Sequence, residues 1–258
     1  MGVAAIGMAG SALAALPATG MQSAAPAQAA ACTASDQFPS IAGWKLTLPL
    51  DNPLKPGLQP FEVKQPGLAA FQTAPWFTAR AGCEGLQFRA SVNGVTTSGS
   101  GYPRSELREM SADGKSNASW SSSKGVHSMT VRQAITHLPD GKPHVVAGQI
   151  HDADDDVSVF RLEGSTLYVT KGDDRHHKRV TDDYVLGTVF EVKFVVEGDT
   201  IKAYYNGELQ TTIDVKFSNA YFKAGAYMQA NCTKVDACNT GNYGEVVIYS
   251  LAVSHQSS

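Results

Sequence analysis

The chain has 258 residues, with 21 Lys and Arg against 24 Asp and Glu and a formal net charge of -3 at pH 7. That balance excludes a protein that holds nucleic acid through its overall field, since such binding needs a strong excess of positive charge. Affinity for any polyanion has to come from a local basic cluster, and the length suits one well-buried core without a second domain.

Met1 to Ala31 holds no Asp, Glu, Lys or Arg, and its apolar stretch from Val3 to Leu16 is broken by Gly7 and Gly10 and closed by Pro17. This reads as a secretory signal and not as a span of ~20 uninterrupted apolar residues, so no membrane anchor is expected. Ala27 and Ala29 fit an A-x-A cleavage site, although the basic residues usual at the head of a signal are missing. The expected organisation is a signal at 1–31 and a single exported domain at 32–258. The four cysteines, Cys32, Cys83, Cys232 and Cys238, are an even number in an exported chain, which predicts two disulfides. The short Asn/Thr/Asp-rich gap between Cys232 and Cys238 suits a loop-closing bridge and leaves Cys32 for Cys83.

Downstream of Cys32, short runs alternate apolar and polar residues between Gly, Asn, Asp and Pro, and helical periodicity is nearly absent. Gly67 to Phe71 is the one short helical candidate. Residues 92–102 are polar and Gly-rich, a candidate mobile lid. Val145 to His151, Val157 to Leu162 and Thr166 to Thr170 read as strands, with Glu163-Gly164 as a hairpin turn. Phe190 to Ile213 reads as a meander in which Asn206-Gly207 marks a tight turn. About a dozen strands so spaced predict an all-β fold, a jelly-roll sandwich of two antiparallel sheets. The acidic run Asp152 to Asp156 lacks the Gly and terminal Glu of a calcium loop and reads as a solvated turn. His176-His177 beside Asp173-Asp174 reads as an exposed loop. No metal and no cofactor are expected, and nothing marks an interface, so a monomer is expected.

Residues i, i+2 and i+4 of a strand share a face. In Arg104-Ser105-Glu106-Leu107-Arg108 the two arginines and the glutamate project together. In the strand ending Gln149-Ile150-His151, Gln149 and His151 share a face and Ile150 opposes them. From Tyr221 to Gln229, the residues Tyr221, Lys223, Tyr227 and Gln229 lie opposite Phe222, Ala224, Ala226 and Met228. Each segment alone reads as an ordinary solvated sheet face. Side by side they would form a wall of groups able to hold a carboxylate, stack on a sugar ring and exchange protons.

RSELR at 104–108, QIH at 149–151 and YFKAGAYMQ at 221–229 resemble, in order and spacing, the signature motifs of family 7 alginate lyases, a likeness running from about Trp44 to Val253. The resemblance implies a jelly roll with a concave groove for several uronate residues of alginate. It implies His151 and Tyr227 as the proton-transfer pair, with Arg104 and Gln149 on the substrate carboxylate. The middle Ile150 implies a lean toward guluronate or mixed blocks, and the expected action is endolytic.

Such a lyase removes the C5 proton of a uronate and expels its O4 substituent. Donors on the carboxylate stabilise the enolate-like intermediate more than the ground state, and one such donor is worth roughly 3 to 4 kcal/mol. Arg108, Lys223, Gln229 and Tyr221 are expected in substrate binding, the first three at flanking subsites, and Glu106 as the group that orients the two arginines. Neighbouring cations are expected to lower the Tyr227 pKa, letting it also act as base on mannuronate. A hydrolase would show paired carboxylates, where these segments offer only Glu106. A lyase for another uronate polymer such as glucuronan, and a non-catalytic carbohydrate-binding sandwich, remain open alternatives.

Overall fold

The computed structural model describes residues 1–2, 32–57 and 59–257. All but Met1 and Gly2 of the expected signal therefore lies outside the described residues. Backbone contacts divide the chain after Ala30, and every strand belongs to the second part, Ala31–Ser258.

The strands in chain order are β1 (Trp44–Asp51), β2 (Pro60–Val63), β3 (Phe77–Ala79), β4 (Leu86–Ser91), β5 (Arg104–Glu109), β6 (Val126–His137), β7 (His144–His151), β8 (Asp156–Glu163), β9 (Thr166–Lys171), β10 (Asp174–Thr181), β11 (Phe190–Glu197), β12 (Thr200–Tyr205), β13 (Glu208–Asp214), β14 (Tyr221–Met228) and β15 (Tyr243–Gln256). They form two antiparallel sheets, one ordered β10-β9-β8-β7-β14-β5-β1-β2 and the other β13-β12-β11-β6-β15-β4-β3. At the middle of the first sheet the neighbours β7-β14, β14-β5 and β5-β1 are non-consecutive, as a jelly roll requires.

The two sheets meet over one apolar core, where Phe160 packs on Phe194 with ring centroids 4.7 Å apart and Phe77 on Phe88 at 5.1 Å. Phe222, Ala224, Ala226 and Met228, the alternate residues of β14, are wholly buried in it, as are Leu107 and Ile150. Fully burying the Phe, Met, Leu and Ile side chains among these contributes about 1.5 to 3 kcal/mol each, and that fixes which face of β5, β7 and β14 looks outward. Both disulfides form as expected, Cys32 to Cys83 and Cys232 to Cys238, with Cα atoms 5.6 and 4.9 Å apart.

Three local readings need correction. A four-residue helix at Ala34–Gln37 was not anticipated; it is set by a capping box between Thr33 and Asp36. The candidate at Gly67 to Phe71 is only a 3-10 turn, Gly67–Ala69. His176 and His177 lie not in a loop but in β10, an edge strand whose side chains are mostly in water, so it lacks the apolar alternation that reveals a strand. No His, Cys, Asp and Glu group suited to a metal occurs among the described residues.

Candidate active site

β14 lies between β5 and β7, so the three motif strands are neighbours. Across β5, Tyr227 is opposite Arg104, Gly225 opposite Glu106 and Lys223 opposite Arg108. Across β7, Lys223 is opposite Gln149 and Tyr221 opposite His151. Between Lys223 and Tyr227 β14 advances four residues while β7 advances three, from Gln149 to Val146. Gly225 sits at this irregularity with φ +142°, and a Cβ there would lie 2.5 Å from the Ser105 carbonyl oxygen. Only glycine lets β14 pass that close to β5.

Glu106 is the hub of the wall. Its buried carboxylate accepts from Lys223 Nζ at 2.9 Å, from Arg104 Nη1 at 3.3 Å and from the Gln149 amide. Burial pushes this carboxyl up, but Lys223, Arg104 and the hydrogen bonds outweigh it and hold it below the ordinary glutamate value. Lys223, equally buried, is brought down to about 8 by desolvation, against the pull of Glu106. Two expectations change here. Lys223 occupies the centre of the wall and not a flanking subsite. Glu106 orients Arg104, Gln149 and Lys223 but not Arg108, whose guanidinium stacks 3.9 Å from the Tyr221 ring centroid. Gln149 Oε1 and Arg104 Nε are buried without a protein partner, and Gln149 Nε2 keeps one hydrogen beyond the one given to Glu106. These unused groups are what the site offers to a ligand.

At one end of the wall His151 stacks on Tyr221, with rings 5.1 Å apart and 15° from parallel. Its Nδ1 lies 2.8 Å from the Asp152 carbonyl oxygen and 3.1 Å from the Tyr221 hydroxyl. A carbonyl only accepts, so Nδ1 carries the proton and the neutral ring leaves Nε2 as the acceptor. Burial, then Lys223, lowers the imidazole below its ordinary value and keeps it neutral at pH 7. At the other end Tyr227 lies under the Arg104 guanidinium, 3.9 Å from ring centroid to carbon, and its hydroxyl is 2.9 Å from Ser100 Oγ. Burial raises this phenol and outweighs the lowering by Arg104. The expectation that cations lower it is not met: the phenol keeps its proton at neutral pH.

Arg104, Arg108, Gln149, His151, Tyr221, Lys223 and Tyr227 all line one cavity of about 400 Å³, together with Thr97, Gly99 and Ser100 of the Gly-rich loop. Gln229 does not join them. It follows the end of β14, its amide oxygen is taken by Arg161, and it lines an adjoining cavity of about 260 Å³ with Arg161, Arg175 and Tyr102. Tyr227, Asp155 and Asp156 border both cavities, which together make a groove across the sheet.

Sequence reading missed Arg161, Arg175, Ser100 and Asp156. In β8, Arg161 shares its face with Val157 and Val159 while Phe160 and Leu162 fill the core, so both faces look apolar and the arginine does not stand out. The turn at Asp152 to Asp155 is there, with Asp152 capping the amides of Asp154 and Asp155. Asp156 instead opens β8 opposite His151, and burial with the neighbouring Asp155 raises its carboxyl to about 6.

Residues 40–255 match the family model for alginate lyase. The crystal structure of the alginate lyase from Corynebacterium sp. is 57% identical with a TM-score of 0.84, covering 88% of this chain and 99% of that one. The alginate lyase AlgAT5 from polysaccharide lyase family 7 is 44% identical with a TM-score of 0.81, covering 87% and 99%. The family 7 alginate lyase A1-II', solved with substrate GGMG in a form with one His-to-Asn and one Tyr-to-Phe change, is 25% identical with a TM-score of 0.70, covering 86% and 98%. The comparison with curated proteins returns no match.

Proposed function

The chain belongs to the family 7 alginate lyases, and from that premise we propose a secreted, endolytic enzyme that eliminates across C4–C5 of guluronate-containing alginate, with His151 as base and Tyr227 as acid. The observation that carries this reading is the pairing, in one cavity, of an imidazole kept neutral with its Nε2 free and a phenol kept protonated. Base and acid then stand in the required states at neutral pH before substrate arrives.

Arg104 and the second amide hydrogen of Gln149 donate to the uronate carboxylate as charge moves onto it from C5. Glu106 holds both donors in place from beneath. His151 Nε2 takes the C5 proton and Tyr227 gives its proton to O4 as the C4–O4 bond breaks, which leaves the unsaturated uronate and a new reducing end. Guluronate and mannuronate differ at C5, so their protons lie on different sides relative to O4. On the mannuronate side the base available is Tyr227, whose raised pKa makes it a poor one at neutral pH. This supports the lean toward guluronate, as do the GGMG substrate and the GGG product bound to A1-II'. Ile150 is wholly buried behind the sheet, so any effect it has on preference passes through the packing of β7.

Export is supported by the two disulfides and the charge-free leader. The test is incubation with polyguluronate and polymannuronate, following both the ultraviolet absorbance of the conjugated double bond and the reducing ends. Elimination raises the two in step and an endolytic enzyme collapses viscosity early; reducing ends without absorbance mean hydrolysis and end the proposal. Converting His151 to Ala should abolish guluronate cleavage and leave the slow mannuronate reaction, and equal loss on both polymers would count against the division of labour.

A further inference from the structure

Ser100 belongs to the Gly-rich loop and makes the only protein hydrogen bond recorded for the Tyr227 hydroxyl among the described residues, at 2.9 Å. The serine is itself held. Its Oγ accepts from the Tyr102 amide at 3.1 Å, and its own amide donates to the Thr97 carbonyl at 3.0 Å. The next residue, Gly101, gives its carbonyl to Asn231 Nδ2 at 2.8 Å, and Asn231 directly precedes the Cys232–Cys238 bridge. At the base of the loop Gly94 fits against Pro49 and Pro103, where a Cβ would come within 2.6 and 2.9 Å of their Cβ atoms. The loop is therefore tied at both ends, and it delivers the Ser100 hydroxyl to the Tyr227 oxygen, with the Tyr102 carbonyl 3.5 Å away as the alternative acceptor for its hydrogen.

We infer that Ser100 is a positioning residue for the acid step: it accepts from the Tyr227 hydroxyl in the free enzyme and turns to donate to the phenolate oxygen as the proton passes to O4. A serine hydroxyl has one hydrogen and two lone pairs, so it can do both by rotation about its C–O bond. Tyr102 occupies one lone pair throughout, and the other is released as the hydrogen swings round. The need is physical. Tyr227 sits where burial opposes negative charge; the Arg104 guanidinium on its ring face and, farther off, the Lys223 ammonium at 5.7 Å counter that cost, and the Ser100 hydroxyl is the group that does so at the oxygen itself. A hydroxyl already placed against an oxygen that becomes charged in the transition state, needing only to rotate its hydrogen toward it, speeds the reaction without tightening ground-state binding.

The inference rests on the reading of Tyr227 as the acid, and the experiment separates the two. Ser100→Ala, Ser100→Thr and Tyr227→Phe are compared on polyguluronate and on a guluronate carrying a nitrophenyl group at O4, whose departure as nitrophenolate needs no proton. On polyguluronate, Ser100→Ala should lower kcat by about 10- to 100-fold, short of the roughly 10²- to 10³-fold of a dedicated oxyanion donor. KM should change little and Ser100→Thr should restore most of the rate. On the nitrophenyl substrate the loss should vanish for Ser100→Ala and for Tyr227→Phe. If Ser100→Ala is within two-fold of the parent on polyguluronate, or loses as much on both substrates, Ser100 is no more than a loop residue and the inference is overturned. If Tyr227→Phe keeps its activity on polyguluronate, or is equally dead on both, the acid assignment itself has failed.

Discussion

Lys223 is charged where water hardly reaches, and with a pKa of about 8 it sits close to losing that charge. Above pH 8 the Glu106 carboxylate is left with Arg104 and Gln149 alone, the hub loosens, and the activity of the enzyme should fall through that range. The acid limb should come from His151, below the ordinary imidazole pKa because its folded value is lowered; a pH–rate profile of kcat/KM checks both limbs. Asp156 behaves in the opposite sense. Its folded carboxyl, raised to about 6 from 3.8, holds a proton that the unfolded chain has already released, so stability drops as pH rises through that window. Asp156→Asn should therefore stabilise the protein by about 1 to 2 kcal/mol at pH 7 and by little near pH 4, measured by urea denaturation. It should also lower KM at pH 7, since a carboxylate bordering both cavities repels uronate. At this scale the two-residue period was enough to read Arg104, Glu106, Gln149, His151, Lys223 and Tyr227 as facing one way. Asp156 escaped because three acidic neighbours, Asp152, Asp154 and Asp155, made it look like turn, and Ser100 because a loop has no period from which to infer direction.

The strand β14 brings its row of polar groups into line by an irregularity that no alternation pattern announces. Periodicity gives the face of a strand but not its register with a neighbour, and the extra residue between Lys223 and Tyr227 relative to β7 is visible only in the pairing. The local signs of it are two glycines with positive φ, Gly225 on β14 and Gly148 on β7. Gly225→Ala forces a Cβ against the Ser105 carbonyl at a φ that side chains rarely adopt. It should cost about 1 to 3 kcal/mol in urea denaturation. Activity should fall further than that loss explains, because the Tyr227 ring moves from under Arg104. By contrast β10 was not legible at all, since an edge strand in water carries polar residues on both faces, whereas the meander from β11 to β13 was, since its turns and its core face agree.

For the whole molecule, the polyanion must approach a protein whose net charge is negative. Attraction is local, from Arg104, Arg108, Lys223, Arg161 and Arg175 along the groove, and it acts over a Debye length of about 8 Å at physiological salt. KM for polyguluronate should rise with added salt while kcat changes little, as initial rates at several ionic strengths would reveal. The sandwich architecture and both disulfides were readable because they follow from pattern and count. The resemblance implied a groove but not its second cavity, because Arg161 and Arg175 come from strands outside the recognised motifs. The most direct measurement is a crystal structure of the Tyr227→Phe variant holding a guluronate oligomer. The expected result is a single ring with its carboxylate on Arg104 and Gln149, its C5 within about 3.5 Å of His151 Nε2 and its O4 against the outer edge of the ring at 227. A chain bound so that no one uronate reaches both ends of the wall would contradict the mechanism.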